Sequence, residues 1–94
     1  METMINEKLN LTEKEIEVII KITESDFYEY DNAPVWSFSV YDFLTFKGKV
    51  RSGVISSLVQ KGLIFADDHK DKRDNCVGFT KDGFIKLKDQ GFIK

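Results

Sequence analysis

The sequence predicts one α+β domain that is mostly helical, with a three-helix core, a short strand, a two-stranded hairpin and a C-terminal helix. Three observations carry that expectation. Threonine-led helix starts stand near both ends, at Thr12 and Thr80. A run of apolar and small residues ending in Gly62 lies between them. Two short apolar runs, 63–66 and 76–79, bracket a charged loop, as the arms of a hairpin would.

With 94 residues and 41% hydrophobic content the chain has room for a single core. A charged fraction of 32% beside 13% aromatics is ordinary for a globular protein and too apolar for a disordered one. No apolar run approaches the roughly 20 residues of a membrane span, and residues 1–10 lack the basic leader and apolar stretch of a secretory signal. Cys76 is the single cysteine, which excludes an intramolecular disulfide and a multi-cysteine metal site and fits a reducing cytoplasm.

The net charge of −2 conceals an asymmetry. Residues 1–45 hold three lysines against ten acids, whereas residues 46–74 hold Lys47, Lys49, Arg51, Lys61, Lys70, Lys72 and Arg73 against four aspartates. Such a split suggests one face directed at a polyanion.

Residues 1–10 read as an N-terminal arm and 11–94 as the domain. Thr12-Glu13-Lys14-Glu15 is a capping box, with Leu11 and Ile16 as its hydrophobic staple. Ile16, Ile19, Ile20 and Thr23 share one face and Glu13, Glu17, Lys21 and Glu24 the other, predicting an amphipathic helix over about 13–24. A loop rich in acids and aromatics follows, from Phe27 to Pro34. Residues 35–39 alternate large apolar with small polar side chains, the pattern of a short strand, and Ser39 is placed to cap a second helix through Val40, Phe43 and Leu44. Phe46-Lys47-Gly48 makes a turn.

The third helix, about 49–61, has an apolar arc of Val50, Val54, Ile55, Leu58 and Val59. Opposite lie Lys49, Ser52, Gly53, Ser56 and Gln60. Gly62 sits where a left-handed C-cap belongs, with Leu63 packing back on Leu58. Strands over 63–66 and 76–79 enclose a polar loop, 67–75. Thr80 then caps a last helix, Phe79 and Phe84 form a second staple, Leu87 continues the apolar face, and Gly91 ends the helix. Among the aromatics from Phe27 to Phe46, Trp36, Phe38, Phe43 and Phe46 are expected in the core, with Tyr28 and Tyr30 on a loop.

From about Asn10 to Gln90 this order resembles the winged helix-turn-helix domain of MarR-like transcriptional regulators. The residues that carry the resemblance are 52–64, Ser-Gly-Val-Ile-Ser-Ser-Leu-Val-Gln-Lys-Gly-Leu-Ile, similar to that family's recognition helix entering its wing. Asp71-Lys72-Arg73 is similar to the wing tip, and Phe79-Thr80-Lys81-Asp82-Gly83 to the entry of the following helix. The chain departs from that family in leaving no room for long terminal dimerisation helices.

The resemblance implies binding to double-stranded DNA and transcription regulation, with no cofactor. Its recognition helix would enter the major groove, with Lys47, Lys49 and Arg51 at the helix start and Ser52, Ser56 and Gln60 along it. His69, Lys70, Lys72 and Arg73 at the wing tip would contact flanking backbone. The competing readings are a solvated surface helix and a charged hairpin end kept soluble by Asp67, Asp68, Asp71 and Asp74. Those aspartates with His69 match no metal-loop spacing. Cys76 reads as a small buried hydrophobe. No nucleophile–base pair or phosphate loop is evident, so no enzymatic activity is expected. One module covers little DNA, so a homodimer through Met4, Ile5 and Leu9, or a larger partner, is expected. The alternative is a winged-helix module that binds another protein through the acidic first half and the Phe27–Tyr30 loop.

Overall fold

The computed structural model describes residues 9–29, 33–67 and 75–93. Among them the element order is α1 (Glu13–Glu24), β1 (Val35–Trp36), α2 (Phe38–Tyr41), α3 (Gly48–Gln60), β2 (Ile64–Asp67), β3 (Cys76–Phe79) and α4 (Lys81–Asp89). The strands form one antiparallel sheet in the order β1-β3-β2. No helix among the described residues is long and apolar enough to cross a membrane.

Helix α1 starts where its capping box predicts. Thr12 Oγ1 accepts from the Glu15 amide at 3.2 Å, and Glu15 Oε1 accepts from the Thr12 amide at 2.9 Å. The buried seam is Glu15, Val18, Ile19 and Ile22, which shares only Ile19 with the expected Ile16, Ile19, Ile20 and Thr23; Ile20 is exposed. The apolar arc of α1 is wider than its contact with the core. Val18 and Ile22 take the core side, which leaves Ile16 and Ile20 over a shallow depression beside α4.

The segment after Pro34 departs most from expectation. Strand β1 is only two residues long, pairing Val35 with Val77 and Trp36 with Cys76. The chain turns at Ser37 into α2, so Ser39 lies inside the helix instead of capping it. The Ser39 hydroxyl donates to the Trp36 carbonyl at 2.6 Å and lies 2.7 Å from the Ser25 hydroxyl. This early turn reverses which side faces inward. Val35 and Ser37 are buried and Val40 and Leu44 follow them in, while Trp36, Phe38 and Phe43 are 38%, 46% and 64% exposed. Of the four aromatics expected in the core, only Phe46 is there. Tyr28, expected on a loop, packs against the core with its ring edge-on to Phe79, centroids 6.2 Å apart.

Helix α3 buries only Ile55 and Leu58; Val54 is half-buried, and Val50 and Val59 are exposed. The expected five-residue arc therefore narrows to a strip, because α3 meets the rest of the molecule along one edge. At its end Gly62 has φ +75°, its amide donates to Val59 O at 2.9 Å, and the Leu63 amide donates to Leu58 O at 3.1 Å. These are the two bonds of a Schellman cap, and a left-handed φ is open to glycine without Cβ strain.

The α3–β2 corner is clamped by the start of α4. Thr80 Oγ1 accepts from the Gly83 amide at 2.9 Å and donates to Gly62 O at 2.6 Å, and the Thr80 amide donates to Leu63 O at 3.1 Å. A Cβ on Gly83 would lie 2.6 Å from Leu63 Cα and run into the Leu63 carbonyl, so this approach requires glycine. The Thr-x-x-Gly and Lys-Gly-Leu-Ile segments thus lock one another. Phe79, Leu63, Ile64, Val77 and Leu87, all essentially inaccessible, close the core over α1. Cys76, expected to be buried, is half-exposed at the start of β3.

Candidate nucleic-acid interface

Helix α3 has a continuous outward face. Lys49, Ser52, Gly53, Ser56 and Gln60 are all exposed, and no residue of the helix is acidic. The face exists because the buried strip lies nearly opposite, on Ile55 and Leu58, so that residues three and four apart share the solvent side.

The start of α3 differs from those of α1 and α4. Thr12 and Thr80 cap those two helices, whereas Lys47 at the N-cap of α3 makes no side-chain bond to it. Gly48, φ +63°, turns the chain from the preceding segment, and exposed Lys47 and Lys49 flank the first turn. Two ammonium groups beside amides without a side-chain cap make this end electropositive.

Beside the outward face runs an open groove of about 790 Å³ between α2, α3 and the hairpin. Ser52, Ser56 and Gln60 line it with Arg51, whose guanidinium lies 4.8 Å from the centre of the Tyr41 ring. That stacking holds Arg51 half-buried against α2, less free than a solvated arginine. Tyr41 and Asp42 were not foreseen in this groove; no sequence signal shows that α2 lies against the start of α3. Asp42 is the one carboxylate among its described lining residues.

The structure therefore brings Arg51, Ser52, Ser56 and Gln60 to one groove, with Lys47 and Lys49 at the electropositive end of the same helix. His69, Lys70, Lys72 and Arg73 lie outside the described residues, as do the expected arm contacts Met4 and Ile5. Ala66 in β2 and Asn75 just before β3 line the groove edge. Lys61, which contributed to the basic balance of the sequence, is not part of this surface. Its ammonium is bound at 2.9 and 2.8 Å by the two carboxylate oxygens of Glu15 and at 3.1 Å by the Asn10 carbonyl. Among the described residues no cluster of three or more His, Cys, Asp or Glu is arranged to hold a metal.

The chain matches no protein-family model, no curated protein and no solved structure.

Proposed function

We propose that this domain is a winged-helix DNA-binding module of a transcriptional regulator, with α3 in the major groove and the β2–β3 hairpin as the wing. The observation that carries the reading is the outward face of α3, with Lys49, Ser52, Gly53, Ser56 and Gln60 exposed and no acid on the helix. A major groove admits a helix whose outer side is small and polar, because bulky or anionic groups would hold the backbone away from the base edges. Lys47 and Lys49 would take phosphates at the helix start, and Arg51, Ser52, Ser56 and Gln60 would reach bases. By the resemblance alone, Lys70, Lys72 and Arg73, which lie outside the described residues, would meet flanking backbone. In support, the four helices and the three-stranded antiparallel sheet of the described residues, in this order, are compatible with a winged-helix layout. On this reading the protein works in the cytoplasm, as a MarR-like regulator without cofactor or catalysis.

About five phosphate contacts give a salt slope of roughly −4 to −5, which leaves one module weak at physiological salt. Function would then need a homodimer or a larger assembly. The decisive test is anisotropy of the full chain with duplex DNA across a salt series, beside the Lys49→Glu, Arg51→Glu variant. Binding that is absent at low salt, or unchanged in that variant, refutes the reading. A second reading, protein binding without DNA, is favoured by the exposed aromatics in and just after α2, Phe38 and Phe43.

A further inference from the structure

Among the described residues, four of the large apolar side chains left in water are aromatic, and all four lie around α2 and the loop before β1. They are Phe27, Trp36, Phe38 and Phe43, between 38% and 64% exposed. Phe27, Phe38 and Phe43 line one concavity of about 390 Å³ between the end of α1 and α2. Phe27 and Phe38 meet edge-to-face at 6.0 Å, so the walls are preformed. Phe27 also borders a second depression with Trp36 and Pro34, which extends the apolar surface beyond the size of a single side chain. Clustered apolar surface with a polar rim marks a contact site.

The rim determines what fits. Glu24, Asp26 and Asp42 border the concavity against one cation, Lys21, which is drawn to Glu24 at 3.5 Å. The C-terminal end of α1, with its partial negative charge, opens at the same place. An occupant must therefore offer both aliphatic length and positive charge, and phosphate is repelled.

From this complementarity we infer that the α1–α2 concavity is a docking site for a basic, apolar segment of a partner protein. Arginine or lysine stems lie along Phe38 and Phe43, and their charged heads meet Asp26 and Asp42. This site shares Phe38 and Asp42 with the edge of the α2–α3 groove but takes no residue from α3, and it stands whether or not α3 binds DNA.

The test is a titration of the isotope-labelled full chain, followed by amide chemical shifts, with a short peptide of alternating arginine and leucine. A glutamate–leucine peptide of equal length is the control. Shifts should concentrate on Phe27, Phe38, Ser39 and Phe43. The Phe43→Ser, Asp26→Asn double variant should weaken binding roughly tenfold, while Lys49→Glu with Arg51→Glu leaves it unchanged. The inference is overturned by shifts scattered over other acidic surface or equal affinity for the acidic peptide. Unchanged binding in the Phe43, Asp26 variant, or sedimentation showing the free chain dimerised through this face, also overturns it.

Discussion

The carboxylate of Glu15, its side chain 3% exposed, holds the ammonium of Lys61 at 2.8 Å and so ties the first turn of α1 to the C-cap of α3. The Ser57 hydroxyl donates to the same carboxylate at 2.8 Å, and the Thr12 amide donates to its other oxygen. One side chain thus caps its own helix and fixes the second helix against it. The two ends of the pair are not equivalent, because Lys61 is 36% exposed.

That asymmetry predicts unequal losses. Lys61→Met strands a buried carboxylate and should cost about 2–3 kcal/mol. Glu15→Gln leaves an ammonium that can turn to water, and should cost about 1–2 kcal/mol, mostly through the weakened cap. Urea unfolding of both variants checks the order; a larger loss for Glu15→Gln contradicts it.

Stability should fall in acid through Glu15 and Glu17. Burial pushes the Glu15 carboxyl up, but Lys61, the Thr12 amide and the Ser57 hydroxyl outweigh it and hold the group below its ordinary value of 4.5. The Thr45 amide, with its hydroxyl, does the same for Glu17. A carboxylate lowered in the folded state stabilises fully above its unfolded value, and that stability is lost as pH falls through the lower folded one. Unfolding free energy should therefore decline from about pH 5 downward, and Glu15→Gln should make that decline shallower. Unfolding curves at successive pH values measure both.

Gly83→Ala and Gly53→Ala should act in opposite directions. At Gly83 the added carbon meets Leu63 backbone, which cannot yield without opening the α3–β2 corner, so a loss of about 3 kcal/mol or more is expected. At Gly53 nothing lies within 4 Å and the helix gains propensity, so stability should rise by about 0.5–1 kcal/mol. If the α3 backbone must approach DNA closely at Gly53, the same variant should bind duplex less tightly while melting higher. Thermal melts and anisotropy on one sample separate the two effects.

Aromatic truncations should divide by burial. Phe43→Ser should change stability by less than about 0.5 kcal/mol, whereas Phe79→Ala should cost about 3–5 kcal/mol, because only Phe79 leaves a cavity in the core. Comparable losses for the two would mean that Phe43 packs inside.

Local chemistry made much of this chain legible in advance. Thr12 with Glu15, Thr80 with Gly83, and Gly62 after Leu58 each act within a few residues, so the helix ends they define were readable without tertiary information. The outward side of α3 was readable for the same reason, since periodicity separates Lys49, Ser52 and Ser56 from Ile55 and Leu58. The inward side of residues 35–44 was not. Alternation gives two faces but not which is buried, and a turn at Ser37 sent Val35 and Val40 inward and the aromatics out.

What the sequence determined alone was therefore the set of elements, their caps and the polar face of α3. The tertiary structure decided that Lys61 serves Glu15, that Arg51 lies over Tyr41, and that Phe38 and Phe43 face water. Each of these depends on which elements pack together across ten or more residues. Packing is a property of the closed core, and no local window of sequence contains it.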